Sequence, residues 1–177
     1  MATTKWVLDP AHSEIQFKIK HMMITNVTGG FNQFAAEIDA DNDDFTNAKV
    51  NFSAETNSIS TNNEQRDGHL KSPDFFDVEN HPQITFAGTR FTKKDDENYV
   101  LEGDLTMHGI TKPVSLNVEY GGIQVDPWGN TKAGFELNGK INRKDFGLTW
   151  GAVTEAGGVL LGDDVKVHGA VQFAKQA

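Results

Sequence analysis

Apolar and polar residues alternate with a period of two over most of the chain, the pattern of strands with one face packed and one face wet. Ile15-Gln16-Phe17-Lys18-Ile19-Lys20 is the clearest case. The alternation resumes at Phe34, Ala36, Ile38 and Ala40, and again at Val50, Phe52 and Ala54. It continues at Ile84, Phe86 and Gly88, then at Tyr99, Leu101, Gly103, Leu105 and Met107. Val114 to Tyr120, Ala133 to Ile141 and Val165 to Phe173 complete a set of eight strands. The breaks between them carry turn chemistry. Gly29-Gly30 reads as a bend, Asp39 to Asp44 as a solvated acidic turn, and Gly109 to Pro113 as a chain reversal. Gly121-Gly122 reads as a strand end, Asp126-Pro127-Trp128-Gly129-Asn130 as a loop, and Arg143 to Leu161 as a long glycine-containing loop.

One stretch departs from the pattern. Arg66, His69 and Leu70 are spaced i, i+3, i+4, as on one face of a helical turn. Ser60, Asn62 and Asn63 precede them as candidate N-caps, and Pro73 excludes the helical region for the residue before it. The spacing predicts a short helix over 62–71, a Ser-Pro-Asp turn, and Phe75 and Phe76 dropped onto an apolar surface. Nothing suggests alternating strands and helices, so the expected fold is all-β, with eight antiparallel strands and one helix after the third. Closing such a sheet into a barrel covers its apolar face and removes both edges.

Small residues at inward positions, among them Ala36, Ala54, Gly88, Gly103, Gly139 and Gly169, leave space between larger ones. Glycine also serves strand curvature and close backbone approach, so the same residues fit a filled barrel. Together with Phe17, Phe34, Phe52, Phe86, Phe135, Phe173 and Met107, they are read as aromatic walls around a bore suited to a long apolar guest.

The remaining features narrow the chemistry. The 177 residues suit one domain, able to bury roughly 70% of the surface of the unfolded chain. With no cysteine there is neither a disulfide framework nor a thiolate ligand. A net charge of −9 argues against nucleic acid and against electrostatic docking on anionic membranes. No apolar run reaches the length of a signal-peptide core or a membrane span, so stable membrane insertion is not expected and a cytoplasmic location is. The six histidines show no zincin or zinc-finger spacing, and the acidic turn lacks the EF-hand glycine and distal glutamate. His69 with Asp67 is the candidate acid-base pair for a hydrolase or isomerase acting on an amphiphile, although no nucleophile elbow accompanies it. Arg143 and Lys144 form a charged island at a strand end, read either as an ion-paired rim or as a cationic lip for a polar head group.

Four ordered motifs carry a resemblance. Asp9-Pro10-Ala11-His12-Ser13 leads into Phe17 and His21, and Arg66-Asp67-x-His69-Leu70-x-Ser72-x-Asp74-Phe75-Phe76-Asp77 follows. Leu105-Thr106-Met107-His108-Gly109-Ile110-Thr111-Lys112-Pro113-Val114 and Arg143-Lys144-Asp145-Phe146-Gly147-Leu148 complete the set. Together they resemble the YceI-like family of polyisoprenoid-binding proteins, over Trp6 to about Phe173. The resemblance implies a lipocalin-like eight-stranded barrel binding an isoprenoid chain or other long amphiphile, without catalytic residues or cofactor, and often as a homodimer. Many members are periplasmic. It places His69, Leu70, Phe75 and Phe76 on the inner surface of a helical plug. The expected ligand-contacting set is therefore Phe17, Phe34, Phe52, His69, Leu70, Phe75, Phe76, Phe86, Leu105, Met107, Phe135 and Arg143. A filled barrel serving as a stress-related interaction protein is the reading that needs no ligand.

Overall fold

A computed structural model describes residues 3–22, 24–149 and 161–176. Eleven strands and one α-helix follow in the order β1 (Thr4–Leu8), β2 (Glu14–His21), β3 (Thr25–Phe31), β4 (Phe34–Asp41), β5 (Asp44–Glu55), β6 (Ile59–Ser60), α1 (Glu64–Lys71), β7 (Gln83–Lys93), β8 (Asn98–Met107), β9 (Ile110–Val125), β10 (Thr131–Asn142) and β11 (Leu161–Lys175). All pairings are antiparallel, and the order β1-β4-β5-β7-β8-β9-β10-β11 closes by pairing β11 with β1. Eight strands therefore form a closed barrel, the expected architecture, but β1 takes the ring place that the alternation gives to residues 15–20, which lie in β2. The other three extend it: β2 pairs with the first part of β11, β3 with β2, and β6 with the end of β3.

One of the three added strands has a local cause. Asp9-Pro10 interrupts what would be one strand: Pro10 opens a 3-10 turn, and the Asp9 carboxylate accepts from the Ala11 amide at 3.1 Å. The same carboxylate meets His12 Nδ1 at 2.8 Å and Lys132 Nζ at 3.2 Å. These partners, His12 foremost, hold the Asp9 pKa below the ordinary carboxylate value. A depressed carboxylate stabilises the fold above its unfolded-state pKa, and loses that contribution as pH falls through its folded-state pKa. Asp9→Asn is thus less stable than the parent at neutral pH, and the gap closes below the usual carboxylate range. Urea denaturation of both proteins at neutral and acid pH checks this.

Two expected turns lie elsewhere. Gly29-Gly30 is not a bend but the interior of β3, and the chain turns at Asn32-Gln33. A Cβ on Gly29 would stand 2.5 Å from Phe17 Cζ, so glycine there makes room for the ring of the neighbouring strand. The reversal after β8 needs only His108 and Gly109, at φ 56° and 76°, with Met107 paired to Ile110. Two residues at positive φ are the type I′ hairpin geometry. β9 runs through Gly121-Gly122 to Val125, with a register shift at Gly134/Phe135 opposite. Of the long loop expected over Arg143 to Leu161, Arg143–Phe146 forms a 3-10 turn, and residues 150–160 lie outside the described residues.

The barrel has two unlike halves. At the end closed by β1 and β4, nearly every strand of the ring contributes an aromatic: Trp6, Phe45, Phe91, Tyr99, Tyr120, Phe135 and Phe173. Trp6 and Phe45 are 0% and 1% exposed, and Phe45 packs on Trp6 and Phe135 with ring centroids 5.1 Å apart in each case. That half is a solid core. In the other half the inward residues of β2, namely Ile15, Phe17 and Ile19, are only half-buried although they face the interior. Space lies in front of them.

The interior glycines do not create that space. A Cβ on Gly103 would meet the Ala87 carbonyl oxygen, Phe86 Cζ at 2.5 Å and the Gly88 Cα at 2.9 Å, while Gly169 and Gly139 are covered by Leu137 and Leu116. This corrects the reading of small residues as gaps: they admit neighbouring backbone and side chains. Gly68, in α1, has nothing within 4 Å of the corresponding position. Gly103→Ala should therefore destabilise by about 1–3 kcal/mol through overpacking. Gly68→Ala should stabilise by about 0.5–1 kcal/mol, because alanine loses less chain entropy in a helix. Thermal unfolding of the two variants should show shifts of opposite sign.

Candidate functional site

The half of the barrel away from Trp6 holds a cavity of about 360 Å³. Its walls come from four places. β2 and β3 supply Ile15, Phe17, Ile19 and Val27; β5, β7 and β8 supply Phe52, Ala54, Ile84, Leu105 and Met107. β10 and β11 supply Ile141, Leu161, Val165 and Val167. The segment from α1 onward closes the gap left on the side of β3 away from β2, where β3 meets only the two-residue β6.

That closing segment is the predicted helical plug, with the helix at Glu64–Lys71 and Asn63 as its N-cap. The Asn63 side chain accepts from the Arg66 amide at 3.0 Å, filling one of the orphan donors of the first turn. Ser72 ends the helix before Pro73, and backbone bonds from Phe75 to Ser72 and from Phe76 to Leu70 fold the following turn back on it. Leu70, Phe75 and Phe76 then reach the cavity, Phe75 edge-on to His69 at 5.0 Å and Phe76 edge-on to Phe31 at 6.1 Å.

Four polar members of the wall, Thr61, Arg66, His69 and Arg143, are engaged by the protein. Thr61, 4% exposed, donates from its amide and hydroxyl to the Asp67 carboxylate at 2.8 and 2.6 Å. Arg66 donates to the Thr61 hydroxyl and carbonyl oxygens, both at 2.8 Å. One buried threonine thus gathers a cation and an anion and pins α1 to the end of β6. His69 Nε2 lies 3.0 Å from Asp74 Oδ2, not against Asp67. The expected His69–Asp67 pair is therefore corrected: Asp67 is spent on Thr61, one turn away. Among the described residues no group of three or more metal-binding side chains converges, and no helix is long and apolar enough to cross a membrane.

Arg143 requires the largest correction. It is neither an exposed lip nor a rim ion pair, but 3% exposed at the cavity wall. Its guanidinium donates to the carbonyl oxygens of Leu148 at 2.7 Å, Gly162 at 2.8 Å and Leu161 at 3.4 Å. Burial lowers its pKa, opposed by the nearby Asp163 carboxylate. Arg143 thus ties the 3-10 turn after β10 to the start of β11. Lys144 beside it is the surface residue, paired with Asp163 at 3.3 Å.

Of the twelve residues expected to contact ligand, nine line the cavity: Phe17, Phe52, His69, Leu70, Phe75, Phe76, Leu105, Met107 and Arg143. Phe34, Phe86 and Phe135 do not. Phe34 stands at the mouth of an outer groove and packs against Phe52, with ring centroids 6.4 Å apart. Phe86 is buried beside Gly103, and Phe135 belongs to the solid half. Sequence reasoning passed over Ile15, Ile19, Ile84, Val165 and Val167, aliphatic residues at inward positions whose alternation was plain, and Val27, in a strand it did not assign. Only the level each one occupies along the barrel separates them from the core.

The comparisons with known proteins agree with this architecture. A UPF0312 protein of Staphylococcus epidermidis is 41% identical over 172 residues, covering 97% of this chain and 98% of its own. The crystal structure of the Campylobacter jejuni YCEI protein superposes with a TM-score of 0.77 at 34% identity, covering 89% of this chain and 90% of that one. A polyisoprenoid binding domain from Saccharophagus degradans shares the fold, with a TM-score of 0.74 at 14% identity, covering 97% of this chain and 98% of that one. The model of the YceI-like domain matches residues 6–173, and the chain belongs to that family.

Proposed function

We propose that the chain binds an isoprenoid lipid, of polyprenyl or quinone type, with the prenyl chain in the cavity, for carriage or storage and without chemical conversion. The observation that carries this reading is a barrel half lined by aliphatic and aromatic side chains, whose charged neighbours are already held by protein partners. Such a wall offers a guest apolar contact, worth about 0.8 kcal/mol per buried methylene. The polyisoprenoid binding domain with the same fold supports the choice of lipid.

The solid half sets the length of chain enclosed. Trp6, Phe45 and Phe135 stop a guest from running through the barrel. At about 30 Å³ per water-sized group, 360 Å³ holds roughly a dozen carbons, so a longer chain leaves its remainder outside.

Native mass spectrometry of the purified protein, followed by organic extraction, tests the proposal. The expected result is a stoichiometric prenyl lipid, or uptake of added geranylgeraniol by empty protein. Empty protein that refuses added prenyl alcohols and quinones would overturn it. The same spectrum counts chains, and checks the homodimer that the family resemblance implies.

A further inference from the structure

The outer wall of the barrel carries a cationic row that the cavity does not use. The register sets Lys166 directly opposite Lys18 across β11 and β2, and opposite Lys140 across β11 and β10. All three side chains are exposed, and none forms an ion pair with a described residue. Lys5, Lys93, Lys132, Lys144 and Lys175 each meet a carboxylate within 4 Å, while Lys20, Lys49, Lys71, Lys94 and Lys112 likewise form no ion pair with a described residue, so what sets this row apart is its direct cross-strand opposition. Like charges at directly opposed positions destabilise a sheet, and a chain of net charge −9 has ample carboxylates with which to relieve them. The next row is Gln16, His168 and Asn138, again directly opposed, and the two rows form a shallow groove of about 480 Å³. Asp164, two residues along β11, is exposed beside the row, and Lys20, two residues along β2, is exposed where the register between the two strands shifts.

β2 continues from Lys18 and Lys20 into a hairpin whose end is apolar and exposed. Met22 is 51% and Ile24 75% exposed. His21 and Val27, which flank them, line the cavity, so the hairpin end and the cavity share one end of the barrel.

We infer that this face docks on an anionic phospholipid surface, with Lys18, Lys140 and Lys166 against the head groups and Met22 and Ile24 entering the interfacial layer. Reversible attachment to a bilayer generally needs two signals, and a cationic patch beside an apolar projection supplies both. A soluble polyanion would account for the lysines alone. The local row acts at short range, where the net charge of the whole chain is screened beyond about 10 Å. The inference stands apart from what fills the cavity, so its test does not depend on the bound lipid.

The full chain is sedimented with vesicles of phosphatidylcholine, and with vesicles of phosphatidylcholine plus phosphatidylglycerol. Binding is expected to the second only, and to weaken as salt rises. The triple variant Lys18→Gln/Lys140→Gln/Lys166→Gln should lose roughly a hundredfold in partition coefficient, and Ile24→Ser about tenfold. The triple variant should melt no lower than the parent, because it removes like-charge opposition; this separates lost docking from lost folding. Failure of the parent to bind anionic vesicles would overturn the inference. So would unchanged binding by the folded triple variant, or lysine-dependent binding of tripolyphosphate without any binding to vesicles.

Discussion

Arg143→Leu should lower the stability of the protein by about 3 kcal/mol, because it removes the guanidinium donors from one buried and two part-buried carbonyl oxygens. The acceptors are those of Leu148, Leu161 and Gly162, on the two sides of residues 150–160. Leucine matches the aliphatic stem but offers no N–H, and each orphaned buried acceptor costs about 1–3 kcal/mol before water reaches it. For a chain of this size the loss corresponds to a melting temperature lower by roughly 6–12 °C. Arg143→Lys should fall between the two, since an ammonium cannot reach three carbonyls spread around a planar guanidinium. Calorimetry on the three proteins decides the matter. An exposed cationic lip would give shifts within about 0.5 kcal/mol for either substitution, the usual range for a surface change.

Val165→Trp is expected to reduce prenyl-lipid uptake by at least about tenfold while the protein still folds. Val165 pairs with Ile19 across β11 and β2, and both side chains line the cavity. An indole there takes up space that a guest would otherwise fill, and meets void rather than packed atoms, so the cost of overpacking stays at the low end of about 1–3 kcal/mol. Asn51→Trp, on the outer face of β5 next to the cavity residue Phe52, serves as the control and leaves uptake unchanged. Titration of both variants with geranylgeraniol, alongside circular dichroism, gives the comparison. Equal uptake by the two folded variants would place the lipid elsewhere.

Much of the fold was legible because alternation is a local signal. Phe52, Leu105 and Phe173 announce inward positions within their own strands, and the helical spacing of Arg66, His69 and Leu70 announces the plug. What the alternation does not carry is height along the barrel. Leu105 lines the cavity and Leu101 does not, although both are buried inward residues of β8. The difference arises from the partners that long-range register brings to the same level. Phe135 illustrates the point: Phe45, ninety residues earlier in the chain, makes it core. The Gly29-Gly30 pair misled because glycine looks like a turn, while its use here is to receive the ring of Phe17. Arg143 misled because a cation beside Lys144 reads as surface. Its acceptors include Gly162, nineteen residues on, and no pattern near residue 143 announces them.

The polar knot at Thr61 shows how the site keeps an apolar character despite its charged sequence. Arg66, Asp67 and His69 look like chemistry when read along the chain. In the fold, Arg66 and Asp67 share Thr61, and His69 faces Asp74. Each is hydrogen-bonded to structure, and Leu70 with Phe75 and Phe76 supplies the apolar part of that wall.

The most direct test of the account is to locate the guest by methyl nuclear Overhauser contacts in protein loaded with geranylgeraniol. The account predicts contacts from the prenyl methyls to Ile84, Leu105 and Val165, and none to Leu8 or Ile38 in the solid half. Contacts at Leu8 and Ile38, or none to the cavity methyls in protein that has demonstrably bound the lipid, would contradict it.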